Sequence, residues 1–200
     1  MKFSKTIGQI LFWLALLMFG CTPAPSHFYV DAQLGDDTNS GTLKKPFKTI
    51  EKINSLHLNE GNAVLFAGSQ TFDGTLRIKG LTGTKEQPIT IGSYGMGRAI
   101  LNGGTGNSIL ADSCSWLQVK NLTLTGIGRL TGNTGSGVEF HRVQNCTIDS
   151  IEASGFLWSG LKVVGGKNLR ITNVYAHDNG FSGINVESDG QDAGCLECSG

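Results

Sequence analysis

Glu139, Lys162 and Asn185 stand at equal steps of 23 residues, each two places beyond the glycine of a Ser-Gly pair. His141, Val164 and Glu187 repeat the same step two residues further on. A carboxylate or an amine in such a row can take or give a proton, and amide or imidazole groups can hold sugar hydroxyls. Asp189 and Asp192 follow closely on Glu187, and together they offer the hard oxygen ligands that Ca²⁺ prefers. Trp158 precedes the second Ser-Gly pair, and its indole is suited to stacking on a sugar ring. Arg129, His177 and Asp178 are expected in the loops that enter the same strands. The plainer reading of Glu139 and Lys162 is a solvated cross-strand ion pair, worth well under about 1 kcal/mol.

The elements that must carry these side chains are legible as a repeat. Ser136-Gly137-Val138-Glu139-Phe140, Ser159-Gly160-Leu161-Lys162-Val163 and Ser182-Gly183-Ile184-Asn185-Val186 align with one another. Interleaved with them are 117–124, 146–153 and 169–176, which align as apolar-x-apolar, two residues, apolar-x-apolar. Alternation of period two means strands, one side chain in and the next out. Helical repeats need a period of 3.6, and leucine-rich repeats need a leucine and asparagine pattern that is missing. Three short strands per turn, stacked coil on coil, remain: an all-β parallel β-helix. Val119, Ile148 and Ile171 should stack inside one wall, and Leu122, Ile151 and Val174 inside the next. Asn121, Ser150 and Asn173 fall at the bend between them. Asparagine tolerates left-handed backbone there, and its amide can bond the coil above. On that basis Asn173→Leu is expected to cost about 1–3 kcal/mol. Cys146 shares an inward column with Leu117 and Leu169, as a plain core thiol.

Composition agrees. Glycine, 29 of 200 residues, is about twice its usual share, as many tight turns require. The 16 Lys and Arg balance 16 Asp and Glu, so no basic excess points to nucleic acid. The first residues read as a targeting segment. Lys2 and Lys5 precede the apolar run 7–19, which has the length of a signal-peptide core. The run ends at Gly20-Cys21, which resembles a bacterial lipobox, although Phe19 stands where that pattern prefers a smaller residue. Residues 1–20 are thus expected to be a signal peptide, 21–27 a linker and 28–200 a β-helix domain. Cys21 is expected to be lipidated, anchoring an exported monomer to the bacterial envelope. Cys195 and Cys198 have the spacing of half a zinc site with no second half, so a disulfide or free thiols are expected.

The stacked coils with asparagine at a bend are similar to the pectate-lyase-like right-handed β-helix superfamily. The opening also resembles it: Phe28-Tyr29-Val30, Gly35-Asp36-Asp37, Ser40-Gly41-Thr42 and Pro46-Phe47-Lys48-Thr49-Ile50. In that superfamily the string forms a first strand, a polar loop and a short N-terminal capping helix. Pro46 can start such a helix, with Phe47, Ile50 and Ile53 turned to the first coil. The chain stops in a polar stretch with no second cap, which reads as the N-terminal fragment of a longer protein.

The resemblance implies a polysaccharide lying along the face of the Ser-Gly strands. It also implies a lyase-like chemistry, in which a Lys or Arg takes the proton beside a uronate carboxylate and Ca²⁺ neutralises it. On that reading Lys162 is the base, flanked by Glu139 and Glu187, with Ca²⁺ at Asp189 and Asp192. Trp158, Asn185, His177 and His141 would hold the sugar. Two alternatives stay open. One is a glycan-binding or structural β-helix without catalysis. The other is an inverting glycoside hydrolase using Glu139 and Glu187, about 9–10 Å apart if coils are spaced by about 4.8 Å.

Overall fold

The structure is a computed structural model and describes residues 27–188, Gly190 and the backbone of Glu197–Cys198. Cys21, Asp189, Asp192 and Cys195 lie outside the described residues. Strand β1 (His27–Val30) comes first, then helix α1 (Ile50–Asn54). The first coil holds β2 (Ala63–Ala67), β3 (Thr71–Asp73) and β4 (Leu76–Lys79). The second holds β5 (Ile89–Tyr94), β6 (Ala99–Gly104) and β7 (Ile109–Asp112). In the next three coils two walls share one bent strand: β8 (Leu117–Gly126) with β9 (Val138–Gln144), β10 (Thr147–Ser154) with β11 (Ser159–Lys167), and β12 (Arg170–His177) with β13 (Ser182–Glu187). The short β14 (Glu197–Cys198) pairs with β12. All these strand pairs are parallel, giving a right-handed β-helix of about five turns, as the repeat predicts.

The first wall runs β1-β2-β5-β8-β10-β12-β14, the second joins β3 and β6 to the later halves of β8, β10 and β12, and the third runs β4-β7-β9-β11-β13. Inward columns follow the expected phase. Val119, Ile148 and Ile171 are in register and buried, continuing the column of Val64 and Ile91. Leu122 and Ile151 are buried in the second wall, with Val174 half-buried beside them. The third wall is filled by Leu76, Ile109, Val138 and Leu161. Its glycines are set by close approach: a Cβ on Gly160 would lie 2.6 Å from the Ala176 Cβ and 2.9 Å from the Gly183 carbonyl oxygen.

Two local expectations are corrected. The helix begins four residues after Pro46, with Thr49 as its cap accepting from the Lys52 N–H at 3.1 Å. Phe47 is not on the helix. It is extended, paired with Val30 and buried, because its N–H donates to Tyr29 O and its carbonyl accepts from Asp31 N–H. Ile50 and Ile53 do bury themselves, and Asn54 ties the helix to the first coil through Thr75 O and Arg77 N–H.

The bend is the second correction. Asn121, Ser150 and Asn173 are all left-handed, with φ of 56°, 55° and 52°. Their side chains, however, are not a buried ladder. Asn121 and Asn173 are exposed, and the Asn173 amide donates to the Asp149 carboxylate at 2.8 Å. Amides of the buried Asn133 and the half-buried Asn179 instead sew the corner between the second and third walls. Asn133 donates to Gly104 O and Gly106 O and accepts from the N–H groups of Gly135 and Leu157. Asn179 donates to Ala153 O and accepts from Phe156 N–H. A wide corner leaves backbone groups that a side chain must satisfy, whereas a one-residue left-handed bend does not.

Candidate functional site

Register on the third wall decides which outward side chains are neighbours. Glu139, Lys162 and Asn185 form one row across β9, β11 and β13, and His141, Val164 and Glu187 form the next. The row extends back to Arg77 and Leu110, and the second to Lys79 and Asp112. All six outward positions read from the 23-residue step therefore share one face.

Within that face the expected ion pair does not form. Among the described residues Lys162 meets no carboxylate within 4 Å, and its Nζ lies 5.6 Å from the centre of the Trp158 ring. Glu139 turns the other way, and its Oε1 sits 2.9 Å from His141 Nε2. Its side chain is only 17% exposed, so the imidazole supplies a contact that water largely cannot. The Asn185 amide donates to Glu187 Oε1 at 2.6 Å. Further along, Arg142 pairs with Asp112.

The spacing of Glu139 and Glu187 is also larger than a count of coils suggests. They lie two coils apart and in different rows, so a step of about 9.6 Å along the axis combines with about 7 Å along the strand. Their backbones are about 12 Å apart, so the two side chains must lean toward one another to reach the usual inverting range of about 6.5–9.5 Å between carboxyl groups.

The loops at the edge of this wall build an aromatic shelf. Trp158 is 47% exposed and Phe181 65%, and their rings meet edge to face with centres 6.1 Å apart. Arg129, Leu130, Leu157 and Gly180 complete a recess of about 370 Å³. Arg129 also donates to Asn179 O at 3.3 Å, which ties its loop to the shelf. Phe181 was missed in the sequence reading, yet its signal is present: Trp158 and Phe181 each stand immediately before a Ser-Gly pair. The shelf can take the apolar face of a sugar ring, with Lys162 and Asn185 beside it as donors to hydroxyl or carboxylate oxygens.

His177 belongs elsewhere. It ends β12 on the second wall, where its ring is tilted against Tyr175 at 4.6 Å and its Nε2 is 3.5 Å from Glu152. Its Nδ1 lies 2.8 Å from the Asp178 carboxylate, which, ahead of Glu152, raises its pKa. β12 runs one residue past the segment 169–176 read from the sequence, which keeps His177 on the second wall, short of the corner into the third.

No metal cluster of three or more His, Cys, Asp or Glu occurs among the described residues. Cys114 and Cys146 are buried free thiols in adjacent coils. Burial pushes the Cys146 thiol up to about 11, so it stays protonated and packs as an apolar group.

No family model matches the chain. A lacto-N-biosidase of Bifidobacterium longum subsp. longum is 38% identical over 78 residues, which is 37% of this chain and 5% of that protein. The native GH136 lacto-N-biosidase from Eubacterium ramulus aligns in structure with a TM-score of 0.70 at 19% identity, covering 91% of this chain and 38% of that one. An alginate lyase from Paenibacillus sp. str. FPU-7 aligns with a TM-score of 0.53 at 18% identity, over 80% of this chain and 59% of that one. The chain therefore spans well under half the length of the lacto-N-biosidases it matches. These structural likenesses, at 19% and 18% identity, show the parallel β-helix fold alone.

Proposed function

We propose that this is a carbohydrate-active protein that holds a glycan along the outer face of the third wall. The observation that carries the reading is the exposed Trp158–Phe181 shelf standing beside Lys162, one strand from the Glu139–His141 pair. Exposed aromatics next to fixed polar groups suit a ligand with apolar ring faces and a rim of hydroxyls. Relatives named as a lacto-N-biosidase and an alginate lyase support the class.

Of the two reactions we favour hydrolysis, because the relative matched in sequence is named a lacto-N-biosidase. In that reading Glu139, oriented by His141, and Glu187 are the two carboxyl groups, one protonating the leaving oxygen and the other activating the attacking water. The lyase reading assigns the base to Lys162 and needs Ca²⁺ at Asp189 and Asp192. It gains support from Lys162 meeting no carboxylate within 4 Å among the described residues.

Calorimetric titration of the chain with a panel of neutral and uronate oligosaccharides tests the binding claim. Trp158→Ala and Phe181→Ala should each weaken binding by about tenfold without moving the thermal midpoint. Unchanged affinity in both variants would remove the shelf from the site. Reducing-end release that is lost in Glu139→Gln marks a hydrolase. Ultraviolet absorbance from unsaturated product, lost with chelator or in Lys162→Ala, marks a lyase. Envelope anchoring through Cys21 belongs to the same proposal. Labelled palmitate should enter the exported protein and be absent from Cys21→Ala.

A further inference from the structure

A second face of the β-helix carries charge that the third wall does not use. On the outer side of the first wall, Gln118, Thr147 and Arg170 form one row across β8, β10 and β12. Lys120, Asp149 and Thr172 form the row beside it. Together with Asn173 they line an open recess of about 480 Å³.

The one carboxylate in this recess is already engaged. Asp149 Oδ1 accepts from the Thr172 hydroxyl at 2.6 Å and from the Asn173 amide at 2.8 Å, and Oδ2 accepts from Ser150 at 3.1 Å. Those donors, led by Thr172, hold its pKa down, so it remains an anion with its oxygens turned to its own neighbours. The two cations, Lys120 and Arg170, are exposed, and among the described residues neither makes an ion pair within 4 Å. Arg170 also acts on Asp149 through its charge and has Glu197 of β14 as its backbone neighbour along the row. The Gln118 amide and the Thr147 hydroxyl lie between them, with no hydrogen-bond partner among the described residues.

Two cations at opposite corners of a floor of amide and hydroxyl groups, whose one carboxylate is tied to its own neighbours, match an extended ligand that bears acid groups and hydroxyls. No aromatic ring lines this recess, so a neutral sugar would find no stacking surface within it. We infer that the outer face of the first wall across β8, β10 and β12 is a second saccharide site, selective for acidic oligosaccharides. Lys120 and Arg170 bind the acid groups, and Gln118 and Thr147 bind hydroxyls between them. The fixed Asp149 network keeps the floor rigid, so little ordering is needed on binding. This site stands independently of the reading given to the third wall.

The test uses the chain with oligogalacturonate and, as the neutral control, its methyl ester, both followed by calorimetric titration. In the variant carrying Trp158→Ala and Phe181→Ala, which lacks the shelf, oligogalacturonate should still bind and the methyl ester should not. Adding Lys120→Ala and Arg170→Ala to that variant should weaken oligogalacturonate binding by about tenfold or more. Raised salt should weaken the interaction, as expected for exposed charges. Both cations are on the surface, so an unchanged circular dichroism melt is the expected control. Binding that survives the loss of both cations would overturn the inference, as would equal binding of the methyl ester. Failure of the shelf variants to affect any sugar would count against the third-wall reading alone.

Discussion

The first coil and the fifth coil use the same inward columns, yet they bury them to different degrees. In the first coil Val64, Phe66, Leu76 and Ile78 are all buried, because β1, Phe47 and helix α1 cover one side and the second coil covers the other. In the fifth coil Ile184 occupies the inward column of Leu161, yet it is 43% exposed, and Val174 and Val186 are only half-buried. Among the described residues β13 has a strand on one side only. A solenoid coil is therefore not a self-sufficient unit. Its apolar content is constant along the repeat, but the stabilisation drawn from it depends on having a neighbour above and below.

The sharpest way to break this comparison is to remove equivalent apolar groups at different depths. Phe140→Ala, in the middle of the third wall, should cost about 3–5 kcal/mol, whereas Ile184→Ala should cost less than about 1.5 kcal/mol. Denaturant midpoints for the two variants check it, and equal losses would show that depth in the stack does not govern burial. Coil spacing is tested next by Gly160→Ala. The added methyl meets the Ala176 Cβ and the Gly183 carbonyl oxygen, so an overpacking cost of about 1–3 kcal/mol is expected. Gly190→Ala, at a position with nothing within 4 Å, bears only the cost of its left-handed backbone.

The covered end should also be the acid-sensitive end. Burial works to raise the pKa of Asp31, but N–H groups of Leu34 and Gln33 outweigh it, and the Tyr94 hydroxyl adds a contact. Asp37 is likewise lowered against burial by Thr49 and by the N–H groups of Lys48 and Thr49. Both folded-state values lie below the ordinary 3.8. Their contribution is thus complete above about pH 4 and is lost as pH falls through the folded values. Thermal melts should weaken on acidification below that point, and Asp31→Asn with Asp37→Asn should flatten the dependence. The smallest effect is expected at Asn173→Leu, where the amide is exposed and the Thr172 hydroxyl still serves Asp149. A loss below about 1 kcal/mol replaces the larger value that a buried amide would imply.

How much of this was legible before any coordinates depended on how local the signal was. Alternation and the 23-residue step reach every inward column from Leu117 to Val186, because both are properties of adjacent residues. They also bring Glu139, Lys162 and Asn185 onto one face, because parallel register without slippage carries equal steps into rows. Side-chain direction within that face was not legible. Lys162 had Glu139 on one side and Trp158 on the other, and the alternation pattern contains nothing that chooses between them. The asparagine positions were misassigned for a related reason. Left-handed backbone at a bend is a local preference, and Asn121 and Asn173 show it. Whether an amide points inward depends on the width of the corner, which the longer loops around Asn133 and Asn179 set. Helix α1 starts later than its proline because Phe47 is claimed by Val30, a partner 17 positions earlier in the chain.

The constant step has a last consequence, for the order in which the chain can assemble. In the later coils almost every wall contact joins residues about one coil apart, as in Ile148 with Ile171 or Lys162 with Asn185. Loop closure grows only with the logarithm of loop length, so each added coil meets nearly the same entropic cost as the one before it. The first two coils must meet that cost before any wall exists to dock against. Later coils find a finished edge waiting, so growth should run from an early nucleus by successive addition, with little dependence on how many coils follow.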